Sequence, residues 1–275
     1  MEKELYKLQQ NKPNAYLKIL KQIFKSEIHS TVGNKNLSFN SFKNNINKYS
    51  KKPYIKKMLE FYDNPKYIKK TEEEKLHRIF CLYYGSINIF KPSVAYQICK
   101  KYKPETVLDP FAGWGSRAVG CSASGCNYIG IDNNNNLLDG YDKVKERTNL
   151  NFDIIISDCL KVDYSKYTYD MVLTSPPYYN TEIYSNTQRR TKKQWIEVYE
   201  QIFSITYKHL KNGGYFCMNV PTEIYDKILV KLLDDCDEKM LFYKSQRFHK
   251  NNTKSKTNDE YVYIWIKKDN IITKV

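Results

Sequence analysis

Apolar residues follow two different rhythms along this 275-residue chain. Through about residue 90 they recur at three- and four-residue spacing. Tyr16, Leu17, Leu20, Ile23 and Phe24 share one helical face, and Leu76, Ile79, Phe80 and Tyr83 share another. Thr71-Glu-Glu-Glu74 opens the second of these with a capping box. The Asn-, Ser- and Lys-rich stretch 31–52 between them reads as a loop. From about residue 93, helical stretches alternate with short unbroken apolar runs. The pattern predicts helices at 93–103, 115–124, 137–148, 193–210 and 222–235, and strands at 105–108, 128–131, 153–156, 169–174 and 215–220. Two long alternating runs, 240–248 and 260–268, read as an antiparallel hairpin. Elements in this order predict an α/β fold: a doubly wound sheet ending in an antiparallel hairpin, behind a mostly helical N-terminal region.

Charge divides the chain near the same place. The net charge is +15, and residues 1–103 hold 22 Lys and Arg against 8 Asp and Glu, whereas 104–275 hold 23 against 22. Codon bias toward Lys, Asn, Ile and Tyr would also supply Asp and Glu, so it does not explain one lopsided segment. A basic N-terminal region of this kind is expected to face nucleic acid. Tyr49, Tyr54, Phe61, Tyr62 and Tyr67 interleave with its lysines. Such rings can stack on bases, though rings at helical spacing usually belong to a core. No apolar run reaches the roughly 18–20 residues that span a bilayer, and the first thirty residues lack a signal-peptide stretch. The expectation is a soluble intracellular protein, neither secreted nor membrane-spanning. The seven cysteines form no Cys-x-x-Cys pair and the four histidines no cluster, so reduced thiols and no metal site are expected.

Two strings at strand ends carry the chemistry. Asp109-Pro-Phe-Ala-Gly-Trp-Gly115 leaves the strand at 105–108, and Ser175-Pro-Pro-Tyr178 leaves the strand at 169–174. Ligands of open α/β sheets sit beyond the carboxyl ends of the strands. Gly113 and Gly115 let the backbone approach a ligand, and Asp109 can accept from an ammonium group through water. Asp132, ending the second strand, can hold ribose hydroxyls; Asp158, after the third, can accept from an adenine amino group. Together, in this order, they indicate an adenosine-containing cofactor. The third glycine of a dinucleotide fingerprint is replaced by Ala118, and there is no Gly-Lys-Ser/Thr phosphate loop. The Asp-Pro-Phe opening and the later Pro-Pro loop favour S-adenosylmethionine over NAD or ATP. In the second string, the Ser175 hydroxyl and Pro176 carbonyl can hold both hydrogens of an exocyclic amine and draw its conjugated nitrogen toward tetrahedral geometry. Pro177 stiffens the loop and Tyr178 can stack on the base.

These strings resemble those of the class I S-adenosylmethionine-dependent DNA amino-methyltransferases, which act at cytosine N4 or adenine N6. Asp-Pro-Phe-x-Gly-x-Gly resembles the family's cofactor loop and Ser-Pro-Pro-Tyr its catalytic loop. Gly85–Pro92, with Phe90 and Lys91, resembles the segment that closes over the methionine end. The resemblance covers about 85–268 and implies a Rossmann-like seven-stranded methyltransferase sheet in 85–275. Residues 1–84 would then be a separate basic region in contact with DNA. It implies Ser175, Pro176, Pro177 and Tyr178 as catalytic residues, and Phe90, Lys91, Asp109, Phe111, Gly113, Gly115, Asp132 and Asp158 around the cofactor. Ser at the first catalytic place points to cytosine N4 before adenine N6. Members serve DNA methylation, restriction-modification included.

The chain departs from the pattern at Trp114 and Ser116, where many members have Ser and Thr. It also lacks a large insert for target recognition. DNA contact is then left to the N-terminal region and the 179–193 loop, with Arg189, Arg190, Lys192 and Lys193. No cysteine follows a proline, which speaks against carbon-5 methylation. An RNA base N-methyltransferase is the second reading, and an inactive nucleic-acid-binding subunit the third.

Overall fold

Strands β1 (Thr106–Asp109), β2 (Asn127–Asp132), β3 (Asp153–Ile156), β4 (Met171–Thr174), β5 (Tyr215–Asn219), β6 (Glu238–Tyr243) and β7 (Glu260–Ile266) form one sheet in the order β3-β2-β1-β4-β5-β7-β6. This is seen in a computed structural model that describes residues 2–10, 12, 14–184, 187, 189–243 and 260–268. β1 to β5 are parallel, and β7 runs antiparallel to both β5 and β6. The fold is the expected Rossmann-like α/β sheet with antiparallel C-terminal strands. Chain order reverses between β1 and β4, so the two motif-bearing loops leave neighbouring strands. The strands lie within two residues of the apolar runs that predict them, and the 244–248 end of the hairpin lies outside the described residues.

Ahead of the sheet come α1 (Glu2–Gln9), α2 (Leu17–Ile23), α3 (Lys25–Ser30), α4 (Phe39–Asn44), α5 (Ile46–Tyr49), α6 (Pro53–Tyr62) and α7 (Glu72–Tyr84). α8 (Pro92–Tyr102) leads into β1, and α9 (Ser116–Ala123), α10 (Leu138–Thr148) and α11 (Lys192–His209) lie between strands. The predicted helix at 222–235 is instead α12 (Thr222–Ile224), a π-helical turn at Tyr225–Leu229 and α13 (Val230–Leu233).

The chain divides into two compact units. One holds 1–23, 89–178 and 190–275; the other holds 24–88 and 179–189. This differs from a division at 84/85: α1 packs on α8 and α2 on α10, which joins residues 1–23 to the sheet. In the helical unit, Phe39, Phe42, Ile55, Leu76, Ile79 and Phe80 build a core. α4 and α5 stand where the Asn- and Ser-rich composition suggests a loop. Ser38 caps α4, its Oγ accepting from Ser41 N at 3.1 Å, and Phe39 and Phe42 bury one face. Paired bonds between Val32 and Ile183 tie the 179–189 segment into the same unit. The capping box at Thr71 forms as expected, with Glu74 reciprocating.

At the centre of the sheet unit, the Asp109 carboxylate is wholly buried. Its Oδ2 accepts from Arg117 Nε and from Tyr128 OH, both at 2.6 Å. Its Oδ1 accepts from Thr174 Oγ1 at 2.6 Å and from Phe111 N at 3.1 Å. Arg117, itself 5% exposed, also donates to the Phe111 carbonyl. Burial and the Asp109 charge hold the Tyr128 phenol pKa well above its usual value, which keeps it a donor. One carboxylate thus joins β1, β2, the end of β4 and α9. Asp109 therefore has no open face toward a ligand, and the reading of it as an acceptor for the cofactor gives way to that of a tie between loops.

A charge pair this deep is costly to break from one side. Arg117→Met, which leaves the Asp109 charge without its counter-ion, is expected to lower unfolding free energy by about 3–5 kcal/mol in urea titrations. Adding Asp109→Asn to Arg117→Met should recover at least about 1 kcal/mol of that loss. A single Arg117→Met variant within about 0.5 kcal/mol of the parent would show that the pair is not the tie.

Candidate active site

The cofactor-loop string turns sharply after β1. Gly113 (φ +58°) and Gly115 (φ +70°) both occupy the left-handed region, where a side chain would be strained. The turn is fixed from below. Ala112 N donates to Ile131 O of β2 at 2.8 Å, and the Tyr141 hydroxyl of α10 donates to Gly113 O. Gly130 permits this approach, because a Cβ there would lie 2.8 Å from that of Ala112. Gly130 is a residue that motif reading passes over; its signal was a glycine inside an apolar strand run.

Asp132 closes β2 beside this turn. Its Oδ2 accepts from Gly113 N at 2.8 Å and its Oδ1 from Asn134 N at 2.9 Å. Burial pushes its pKa up to about 6, against the lowering effect of the Asn134 and Gly113 N–H groups. A carboxylate offers about four lone-pair sites, so two remain for hydroxyl donors. Asp158 lies two residues beyond β3, where Ser157 N pairs with Asp132 O at 2.9 Å. It caps the 3-10 turn Cys159–Lys161 with Oδ1, which accepts from Leu160 N at 3.0 Å. Phe90 is buried under the Arg117 guanidinium, 5.1 Å from its ring centre, and packs against Phe242. Lys91 is the N-cap residue of α8; Glu260 feels its charge, though burial raises that carboxyl more than Lys91 lowers it. Phe111, Gly113, Gly115 and Asp132 thus share one hydrogen-bonded constellation with Asp109, and Asp158 lies on the neighbouring strand end.

The Ser-Pro-Pro-Tyr string converges on a side chain that sequence reading missed. Asn219, 2% exposed at the end of β5, accepts through Oδ1 from Ser175 Oγ at 3.0 Å and from Tyr178 OH at 2.9 Å. Its Nδ2 donates to Tyr261 O at 3.0 Å, which fixes the amide so that its oxygen faces the two hydroxyls. Both hydroxyls thus have Asn219 Oδ1 as an acceptor and also lie 3.2 Å from each other, and each oxygen keeps lone-pair capacity for other donors. The Pro177 carbonyl accepts from Tyr199 OH. The Pro176 carbonyl accepts from none of the described residues. Just beyond, Tyr179 adopts φ +51°, a conformation rare for an aromatic residue. An asparagine at a strand end has no motif around it, so its place beside Ser175 shows only when β4 and β5 pair, Thr174 against Met218.

Of the basic residues expected to meet DNA after this string, most are engaged within the chain. Arg189 donates to Asn36 Oδ1 at 2.9 Å, Arg190 lies over the Trp195 ring at 4.9 Å, and Lys192 pairs with Glu223, whereas Lys193 is exposed. Among the described residues no helix is long and apolar enough to cross a membrane, and no three His, Cys, Asp or Glu side chains are grouped to hold a metal.

Comparison with known proteins bears on the C-terminal part of the chain. Residues 169–271 match the family model described as DNA methylase. No curated protein matches the chain. Solved structures similar to it include TehB from Haemophilus influenzae, at 16% identity and TM-score 0.44, covering 69% of this chain and 66% of that one. The Thermus thermophilus 16S rRNA N2 G1207 methyltransferase RsmC, solved with AdoMet and guanosine, is similar at 14% identity and TM-score 0.44, covering 68% and 45%. A methyltransferase from Pyrococcus furiosus is similar at 17% identity and TM-score 0.45, covering 70% and 94%. The chain thus spans less than two thirds of the length of the first two. Residues 169–271, which carry β4, the Ser-Pro-Pro-Tyr loop and the strands that hold Asn219, are thus similar to the DNA methylase family.

Proposed function

We propose that this protein is an S-adenosylmethionine-dependent methyltransferase that acts on an exocyclic amino group of a base in DNA, cytosine N4 first and adenine N6 second. The observation that carries the reading is the Ser175–Asn219–Tyr178 arrangement at the end of β4. It orients the Ser175 hydroxyl through a neutral amide, so that together with the Pro176 carbonyl it can accept from both hydrogens of an amine, and it anchors the Tyr178 ring beside them. An RNA base is the alternative substrate, since a flipped amino-bearing base would present the same chemistry.

The cofactor, when bound, supplies a methyl group on a sulfonium that leaves as a neutral thioether. The residues present suit its adenosyl part. Gly113 and Gly115 keep side chains out of the turn, Asp132 retains lone pairs for two ribose hydroxyls, and Asp158 stands at the next strand end for an amino donor. Asp109 holds the turn in place from within. Phe90 and Lys91 would flank the methionine end.

On the substrate side, Ser175, donating a hydrogen bond to Asn219, presents lone pairs to one hydrogen of the base amine. The Pro176 carbonyl takes the other. Two acceptors on one nitrogen weaken its conjugation with the ring and direct its lone pair toward the methyl group. Tyr178, anchored through its hydroxyl to Asn219, offers a ring for the base, a contact worth about 1–3 kcal/mol. Asn219 is neutral and takes no proton; the methylated nitrogen, strongly acidic at that moment, releases its proton to water. Taking the base out of a duplex costs a few kcal/mol, offset by these contacts. The basic helical residues of the N-terminal region supply the attraction for phosphates.

Purified protein with labelled S-adenosylmethionine is expected to mark DNA, and nucleoside mass spectrometry should find N4-methylcytosine or N6-methyladenine. Label on RNA or protein alone would overturn the substrate. Ser175→Ala and Tyr178→Ala should lower turnover by at least about 100-fold and Asn219→Leu by about 10-fold or more, with cofactor affinity within about twofold of the parent. Unchanged turnover in all three would remove the acceptor mechanism. Asp132 gives a pH dependence of known sign. Its folded pKa is about 6, so it is charged above that value and gains a proton below it. Calorimetric cofactor affinity should fall about tenfold from about pH 7.5 to about pH 5. Asp132→Asn should bind weakly at both ends; a flat profile in the parent would contradict Asp132 as the hydroxyl acceptor.

A further inference from the structure

Helix α6 has two faces of opposite character. Ile55 and Tyr62 are buried in the helical unit's core, with Met58 and Leu59 packed against it. On the other side, Tyr54, Lys57 and Phe61 follow at the spacing i, i+3, i+7 and form one exposed stripe. Tyr54 is 41% and Phe61 45% exposed, large values for rings in a folded chain. Lysines frame both rings. Lys52 Nζ lies 5.9 Å from the Tyr54 ring centre, and Lys66 Nζ lies 5.3 Å from that of Phe61.

The charge here is uncompensated. Residues 48–70 contain eight lysines and only two acidic residues, Glu60 and Asp63. Among the described residues, none of these eight lysines lies within ion-pair distance of a carboxylate. Lysines elsewhere in the chain do find partners: Lys101, Lys192, Lys211, Lys227 and Lys268 of the sheet unit each pair with an Asp or Glu. A cluster of unpaired cations repels itself, so it is retained at a cost unless a polyanion neutralises it.

Charge alone would suit any polyanion, but the exposed rings narrow the choice. A duplex presents phosphates and hides its base faces in the stack, so it would use the lysines and leave Tyr54 and Phe61 idle. An unpaired strand offers both phosphates and open base faces. From Tyr54 to Phe61 the helix rises about 10 Å, room for roughly three nucleotide steps. We propose that the exposed face of α6 binds an unpaired stretch of polynucleotide, with bases on Tyr54 and Phe61 and phosphates on Lys56, Lys57 and the neighbouring lysines. The proposal rests on the nucleic-acid methyltransferase reading above. It sharpens that reading toward substrates containing single-stranded segments.

The test uses the full chain and three fluorescent probes of about 20 nucleotides: oligothymidylate, oligouridylate and a mixed-sequence duplex. The parent should bind the single strands more tightly than the duplex, with affinity falling steeply as salt rises. Tyr54→Ala/Phe61→Ala should weaken single-strand binding by at least about 10-fold and duplex binding by less than about threefold. Lys56→Glu/Lys57→Glu should weaken all probes and make the salt dependence shallower. Every substituted position is exposed, and unchanged cofactor affinity serves as the check on folding. The two single-stranded probes separate DNA from RNA as the source of the strand. The ring variant binding single strands like the parent, or losing duplex and single strand equally, overturns the proposal and leaves the methyltransferase reading standing. A parent that binds cofactor but none of the probes overturns both. Binding instead to vesicles of anionic lipid, with no affinity for the probes, would assign the face to a membrane surface and overturn the proposal as well.

Discussion

The 2.6 Å bond from Thr174 Oγ1 to Asp109 Oδ1 sets the distance between the two halves of this site. Asp109 is the first residue of the cofactor loop, and Thr174 immediately precedes Ser175 of the catalytic loop. Methyl transfer in line requires a donor and an acceptor nitrogen held within a fraction of an ångström of one alignment. A buried carboxylate suits that task because displacing it from its donors is expensive. Arg117 balances its charge, and Tyr128 and Phe111 N occupy its remaining lone pairs. The same residue that opens the glycine turn therefore spaces it from the acceptors. On this view Arg117 serves the reaction without approaching either ligand.

Much of the architecture was legible in the sequence, because the central strands β1, β4 and β5 are buried along nearly their whole length and read as apolar runs. The capping box at Thr71 was legible for a local reason, since both of its bonds span three residues. What stayed hidden depends on long-range convergence. Asp109 looks like any strand-end carboxylate until Arg117, Tyr128 and Thr174 arrive from three other elements. Asn219 carries no motif, and its place beside Ser175 exists only because β4 and β5 pair in that register. α4 and α5 were masked by Asn and Ser, residues that favour loops but also cap helices; Ser38 is such a cap. The tyrosines and phenylalanines among the N-terminal lysines were ambiguous, and the structure divides them. Tyr62 faces the core, whereas Tyr54 and Phe61 face outward from the same helix.

The site is also defined by a restraint on its own reactivity. Its acceptors are the Ser175 hydroxyl and the Pro176 carbonyl, both neutral groups, and Asn219 Oδ1 orients the Ser175 and Tyr178 hydroxyls. A neutral, oriented pair of this kind can hold an amine in place without abstracting its proton beforehand. The arrangement favours direct transfer to nitrogen over covalent attack on the base, for which the Ser-Pro-Pro-Tyr loop carries no cysteine.

The most direct measurement of that account is the atom that receives the methyl group. An oligonucleotide carrying ¹⁵N at the exocyclic amines of its cytosines and adenines would be treated with ¹³C-methyl-labelled S-adenosylmethionine and examined by NMR. A one-bond ¹³C–¹⁵N coupling in the product places the methyl on the exocyclic nitrogen, as the Ser175–Asn219–Tyr178 arrangement predicts. A methyl carbon attached to a ring carbon or ring nitrogen, with no coupling to the labelled amine, would contradict it.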